Sequence, residues 1–210
     1  MMTQRKKIIL SIFLGLILSM FISMTADFTA FARECSDIRQ EVVRIHILAN
    51  SNTRKDQELK IKIRDCILEE CSDLFVANGT KEQALETLSN HLNQIKLTAE
   101  QEMERLGYSY PIHVSLEKTY FTTRVYDTLT LPAGIYDALR IEIGQAAGHN
   151  WWCIAFPQMC LPAAEQKTPA DQIFSERQEE IMENSQKYEV KFAIVELFES
   201  IGQKISAIFE

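Results

Sequence analysis

The residues best suited to chemistry lie in the segment GHNWWC, Gly148–Cys153. Cys153 is a candidate nucleophile if a histidine acts as its base. His149 lies four positions away, which is too far for contact along a strand at about 3.3 Å per residue. His46 or His113 would have to supply the base. The more ordinary interpretation, which we favour, is that Cys153 is buried or disulfide-bonded.

A second group of polar residues lies between Arg44 and Asp56. Arg44 and His46 alternate with apolar residues on a predicted strand, and Asn50 and Ser51 follow that strand. These side chains form either a polar site or an ordinary turn and helix cap. The sequence favours neither interpretation over the other.

The adjacent tryptophans Trp151 and Trp152 must point to opposite faces of a strand. One can fill the core, and the other needs a different partner. An exposed tryptophan often anchors a protein interface. The alternative is that both faces of this strand are covered, as in a central strand.

Motifs of other chemistries are absent from the sequence. It contains no P-loop, nucleophile elbow or HExxH motif. The five cysteines lack zinc-site spacing, and Cys66 and Cys71 resemble small apolar residues. Cys153 and Cys160 bracket Phe156-Pro157, where a turn can join them in a disulfide contributing roughly 2–3 kcal/mol. We therefore predict no catalytic residues, no metal and no cofactor.

The first 32 residues have the features of an export signal. Arg5-Lys6-Lys7 precedes the uncharged run Ile8–Met24, and Ala30-Phe31-Ala32 supplies small residues for a cleavage site. We favour a cleaved signal peptide over a membrane anchor. In both cases the rest of the chain functions outside the membrane of the producing cell, which argues against chemistry that uses ATP or NAD.

The 210-residue chain has an ordinary globular composition, with 46% hydrophobic and 24% charged residues. Its net charge of −7 argues against a general nucleic-acid binder, which would carry a basic face. The length suits one domain with tails.

Hydrophobic periodicity predicts an α+β domain over residues 33–161. The predicted order is a strand, two amphipathic helices that form a hairpin, and several further strands. The strands are predicted to form a mixed or antiparallel sheet. The predicted elements are a strand at Glu41–Leu48, helices from Thr53 to Leu74 and from Thr80 to Leu106, and strands near Ile112–Leu116, Phe121–Tyr126, Tyr136–Ile143 and Trp151–Phe156.

The C-terminal part is predicted to be a polar linker, 162–187, followed by a tail, 188–210. Within the tail, alternation predicts a strand over Tyr188–Ile194, and a helical stripe follows it. We expect this tail to dock on protein, because its net negative charge opposes binding to anionic lipid.

Three segments carry a resemblance to a known family. They are RIHILANSNTRKDQELK (Arg44–Lys60), LPAGIYDALRIEIG (Leu131–Gly144) and GHNWWCIAFPQMC (Gly148–Cys160). Together with the export signal, they resemble the stage II sporulation protein R family of endospore-forming bacteria. The combination of NWWC, a Phe-Pro turn and a second cysteine is highly specific. The matching positions are Arg44, His46, Ala49, Asn50, Ser51, Asp56, Gln57, Leu59, Lys60, Pro132, Ala133, Gly134, Tyr136, Ala138, Asn150, Trp151, Trp152, Cys153, Phe156, Pro157 and Cys160.

The resemblance implies a protein made in the forespore and exported into the space between the forespore and mother-cell membranes. There such proteins signal to a membrane-embedded aspartic protease, stage II sporulation protein GA, which then cleaves the precursor of sigma factor E. The implied role is that of a ligand, with no catalytic residues to transfer. Gln158 and Met159 depart from the family's usual Phe-Pro-Pro-Leu-Cys, and Asp127 stands where the family often has glycine.

Two hypotheses about the site follow. The first is a partner-binding surface whose members are Arg44, His46, Asn50, Ser51, Asp56, Asn150, Trp151 and Trp152. The rival is an exported envelope hydrolase that uses Cys153 with a histidine base.

Overall fold

The computed structural model describes residues 4–75, 79–126, 129–157 and 173–209. Its fold is α+β with a mixed sheet, which confirms the predicted class. In chain order the elements are α1 (Gln4–Glu41), β1 (Val43–Leu48), α2 (Arg54–Glu70), a 3-10 turn (Ser72–Phe75), α3 (Lys81–Asn90), α4 (Leu92–Arg105), β2 (Ile112–Phe121), β3 (Arg124–Val125), β4 (Thr130–Leu131), β5 (Gly134–Ile143), β6 (Asn150–Phe156), α5 (Glu176–Glu183) and α6 (Ser185–Phe209).

The main sheet has four strands in the order β2-β5-β1-β6. β1 pairs with β5 in parallel, whereas the β1–β6 and β2–β5 pairs are antiparallel. The tryptophan-bearing strand β6 is therefore an edge strand of this sheet. β2 extends the predicted strand Ile112–Leu116 as far as Phe121. Of the strand predicted near Phe121–Tyr126, β3 forms two residues, and it pairs with β4 in a hairpin separate from the main sheet.

The first face of the sheet packs against α2, α3 and α4. Val43, Ile45 and Ile47 of β1 are buried there with the apolar stripe of α2. A single second helix was predicted, but His91 breaks it into α3 and α4. At the break, the carbonyl oxygen of Thr87 lies 2.7 Å from the ring nitrogen Nδ1 of His91. This side-chain contact takes the place of the backbone hydrogen bond that a continuous helix would make to Thr87.

The second face packs against the C-terminal part of α1 and against α5 and α6. α1 continues without a break through Ala30-Phe31-Ala32, where cleavage was expected. Phe31 is fully buried, stacks on Tyr188 at 5.4 Å between ring centroids and meets the edge of Phe192 at 5.2 Å. The end of α1 therefore belongs to the core of the domain.

The predicted C-terminal strand is wrong, because residues 185–209 form one helix, α6. The residues Tyr188 and Phe192 face the core, whereas Val190 is 72% exposed. In a helix, two separate apolar faces produce an apparent alternation over a short stretch. The strand signal came from this arrangement.

The predicted linker is also wrong where the structure describes it. Ser175 and Gln178 form a capping box that starts α5, and Ile181 and Met182 of that helix are buried. The preceding part of the linker, 162–172, lies outside the described residues.

Candidate functional site

The loop between β1 and α2, together with the first turn of α2, contains three of the predicted site residues, which are joined by hydrogen bonds to Asp56. Asp56 Oδ2 accepts from Ser51 Oγ at 2.6 Å and from Asn50 Nδ2 at 2.9 Å. Thr53 caps α2 by accepting from the backbone N–H of Asp56. The hydrogen bond from Ser51 is the main reason that the pKa of Asp56 is lowered, so the carboxylate is ionised at neutral pH. These contacts support the turn-and-cap interpretation.

The same loop holds the connection from β5 to β6 in place. Asn50 Oδ1 accepts from the backbone N–H of Gln145 at 3.0 Å, and Asn52 Oδ1 accepts from that of His149 at 2.7 Å. A Cβ on Gly148 would lie 2.3 Å from the carbonyl oxygen of Ser51, so only glycine fits there. The Asn50–Asp56 network thus sets where the tryptophan strand begins.

Lys60 of α2 completes this anchor. Its side chain is 4% exposed and donates at 2.8 Å to both the carbonyl oxygen of His149 and Gln57 Oε1. Burial lowers the pKa of Lys60. Both Gln57 and Lys60 carry the family resemblance, but their positions in the sequence gave no sign of this long-range contact.

Arg44 is fully buried on the second face of the sheet, so it does not form part of an exposed partner-binding surface. Its guanidinium carbon lies 4.1 Å from the ring centroid of Phe121 and 5.0 Å from that of Tyr136. It also donates to the hydroxyl of Tyr126. Among the described residues, Arg44 forms no ion pair with a carboxylate. Its charge is instead stabilised by cation–π contacts, which also connect β1 to β2 and β5.

His46, two residues along the same face, forms a stack with Trp152. The two rings lie 5.9 Å apart at 20°, and the guanidinium of Arg124 covers the tryptophan at 3.5 Å from its ring centroid. His46 is 7% exposed, and Trp152 is half-buried. Trp152 therefore contacts both His46 and Arg124, and Trp152 and Arg124 are half-buried whereas His46 is buried.

The surroundings of His46 keep it neutral. Burial is the main reason that the pKa of His46 is lowered, and the positive charges of Arg140 and Arg44 act in the same direction. The side chains of Asn150 and Glu142 oppose this shift but do not cancel it. A neutral imidazole is suited to stacking under Trp152.

A charged group adjoins this stack on the second face. His46 pairs in register with Arg140 of β5 on one side and with Trp152 of β6 on the other. Arg140 forms ion pairs with Glu117 at 2.9 Å and with Glu142 at 2.6 Å. The side chains of Arg140, Glu117 and Glu142 are 29%, 42% and 26% exposed.

We call this surface the open face. Its members are Glu117, Arg124, Arg140, Glu142 and Trp152. Of the predicted site residues, only Trp152 contributes directly, with His46 as its support. Arg140 was missed because its placement beside His46 depends on pairing between β1 and β5, and Arg124 was missed because its hairpin meets Trp152 only through tertiary packing.

The other members of the predicted surface lie elsewhere. Trp151 points to the first face, where it packs against the core, and the guanidinium of Arg64 lies 5.0 Å from its ring centroid. The two tryptophans thus point to opposite faces of the sheet, and each side chain is partly covered by its neighbours. Asn150 is exposed at the start of β6, opposite Leu48.

The structure provides little support for the hypothesis that Cys153 is a catalytic thiol. Cys153 is 2% exposed and disulfide-bonded, and the proposed partner Cys160 lies outside the described residues. Burial raises the pKa of the free thiols of Cys66 and Cys71, so both are poor nucleophiles. Within the described ranges, no three His, Cys, Asp or Glu residues cluster as metal ligands.

The N-terminal part of α1 is long and apolar enough to span a membrane. Its most hydrophobic window of 18 residues has a mean hydropathy of 2.4, and none of it is buried against the described part of the chain. Length and composition alone do not distinguish an anchor from a signal sequence. The fold is therefore an α+β domain that follows a long apolar helix compatible with an export signal or a membrane anchor.

Comparison with known proteins identifies the family. The model of the stage II sporulation protein R family matches residues 39–168, so the chain belongs to that family. It is 34% identical to Stage II sporulation protein R of Bacillus subtilis (strain 168) over 161 residues, which cover 75% of this chain and 72% of that protein. No solved structure matches. The chain is thus a sporulation protein, and all members of the open face lie inside the matched segment.

Proposed function

We propose that the chain is an exported signalling ligand of endospore formation. In this proposal it acts in the space between the forespore and mother-cell membranes. It binds the membrane-embedded aspartic protease, stage II sporulation protein GA, and activates cleavage of the precursor of sigma factor E. Its family and its apolar N-terminal helix support a role in sporulation outside the producing cytoplasm.

The open face is the observation that carries the proposal of a ligand. Arginine and tryptophan are enriched where proteins bind one another. Here the guanidinium of Arg124 lies over the ring of Trp152, and the ion-paired Arg140 is in register with His46 on the neighbouring strand. Neutral His46 has no thiol or hydroxyl nucleophile beside it among its described ring contacts, which are Phe121 and Trp152. The arrangement is suited to recognition and provides no acid–base pair.

Reconstitution in a non-sporulating bacterium tests the proposal. The protease and the sigma-factor precursor are co-expressed with or without this protein, and immunoblotting follows precursor cleavage. We expect cleavage only when the exported chain is present. Absence of cleavage, with export of the chain and folding of the protease verified, would contradict the proposal.

Matched variants connect the activity to the open face. Arg140→Gln removes a charge that is paired with glutamates on the open face, whereas Arg105→Gln removes a charge paired with Glu102 on α4. We expect Arg140→Gln to reduce cleavage at least about tenfold, which corresponds to about 1.4 kcal/mol of lost binding. Arg105→Gln should keep full activity. Equal activity of the two variants would remove the open face from the proposal.

A further inference from the structure

α6 has an apolar face that the described part of the protein leaves largely exposed, with Phe28 of α1 in contact at Phe198. The side chains of Tyr188, Phe192 and Val195 point into the core. A second set points outward and consists of Val190, Ile194, Leu197, Phe198, Ile201 and Ile205. At about 100° per residue, these six positions fall within roughly 100° of arc. We call this set the α6 stripe.

The α6 stripe is well exposed along its length. The exposed fractions are 72% for Val190, 57% for Leu197, 63% for Phe198, 44% for Ile201 and 50% for Ile205. A continuous row of large apolar side chains in water marks a surface that contacts something else. The contacts between α6 and α1 indicate what covers the α6 stripe.

These contacts show which way the stripe faces. At the edge of α6 next to the stripe, Phe198 meets Phe28 at 6.4 Å between ring centroids, and Lys191 pairs with Asp27 at 2.6 Å. On the core-facing side of α6, between Tyr188 and Phe192 around the helix axis, Glu199 pairs with Arg39 at 2.9 Å. Arg39 lies eleven residues beyond Phe28, about 16 Å further along α1. Because α1 runs from its apolar span toward Arg39, the α6 stripe faces the side of the span.

Four charged side chains of α6 are engaged by other protein groups and leave the apolar stripe uncharged. Glu196 accepts from the backbone N–H of Thr123 at 3.0 Å, and Glu199 is paired with Arg39, so both carboxylates are engaged by protein away from the stripe. Lys187 and Lys191 lie at the border of the stripe, where they are ion-paired with Glu180 and Asp27. The negative net charge of this segment therefore does not describe its apolar side, because these four charges of α6 are each paired or hydrogen-bonded to protein.

We propose that the lipid bilayer entered by α1 covers the α6 stripe, so that α6 lies in the membrane surface as a second contact. Helices with an apolar face and bordering lysines bind in this way. The contact fixes the orientation of the domain above the membrane and does not depend on binding to the protease.

Fluorescence quenching in vesicles tests this proposal with the full-length chain. The background variant Cys66→Ser removes the half-exposed free thiol, leaving Cys35 and Cys71 buried. Val190→Cys and Ile201→Cys place an environment-sensitive NBD label on the stripe, and Glu189→Cys places it on the exposed polar side. The protein is reconstituted in phosphatidylethanolamine–phosphatidylglycerol vesicles with or without lipids that carry a doxyl quencher near the headgroup.

We expect a blue-shifted emission and strong quenching for the two stripe labels, and neither effect for the label at Glu189→Cys. Equal, weak quenching at all three positions would overturn the proposal. A blue shift at Ile201→Cys that disappears on dilution and is unaffected by doxyl lipid would assign the stripe to a second copy of the chain, which would also overturn it. Because no protease is present, the outcome is independent of the proposed signalling function.

Discussion

Replacement of Phe31 by alanine should destabilise the domain strongly, although Phe31 lies within the apparent export signal, in the predicted cleavage site Ala30-Phe31-Ala32. Its ring is fully buried and contacts Tyr188 and Phe192. Truncation of a buried phenylalanine typically costs about 3–5 kcal/mol of unfolding free energy, including the cavity left behind. With a urea dependence of roughly 2 kcal/mol per molar, the midpoint should fall by about 1.5–2.5 M.

Urea titration of the full-length protein in detergent micelles measures this effect. The fluorescence of Trp151 and Trp152 reports on the sheet and is insensitive to the exposed part of α1. The matched control is Phe21→Ala, whose side chain is 65% exposed in the apolar span, and its midpoint should stay unchanged. If Phe31→Ala also leaves the midpoint unchanged, the end of α1 is not part of the core, and our account of the second face is refuted.

Three further predictions follow from the same structure. The exported chain should still contain Phe31, so mass spectrometry should find a first residue that precedes it; a mature chain that begins at Arg33 would contradict this. Asp56→Asn should lower stability at pH 7, because the folded-state pKa of Asp56 is lowered. That contribution is present above the unfolded pKa of about 3.9 and disappears as pH falls through the folded value, so the wild-type and variant urea midpoints should converge in acid; a constant gap would refute the role of the ionised carboxylate. The pKa of His46 is lowered as well, so protonation below about pH 6.5 opposes folding, and His46→Gln should lose less stability than the wild type between pH 7 and pH 5. Identical pH profiles of thermal unfolding for these two proteins would show that His46 does not titrate as we infer.

Local patterns were sufficient for much of the fold. The alternation of Val43, Ile45 and Ile47 predicted β1, and the stripe on α2 predicted the helix that packs on it. The opposite directions of Trp151 and Trp152 also followed from strand geometry. These features depend only on neighbours along the chain.

The errors arose where distant segments decide the outcome. Arg44 alternates with apolar residues as a solvent-facing residue would, but Phe121, Tyr126 and Tyr136 enclose it. The open face was only partly predicted for the same reason, because Arg140 lies beside His46 through strand pairing and Arg124 lies over Trp152 through packing of a separate hairpin. In α6, the apparent alternation came from one helix with two apolar sides.

Photo-crosslinking from the open face tests the proposed function most directly. A photoreactive amino acid replaces Glu117, which is 42% exposed on the open face, or Glu58, which is 57% exposed on α2. Both variants are co-expressed with the protease and the sigma-factor precursor and irradiated. We predict a covalent adduct with the protease from position 117 and none from position 58. An adduct from position 58 alone, or from neither position while precursor cleavage proceeds, would contradict recognition through the open face.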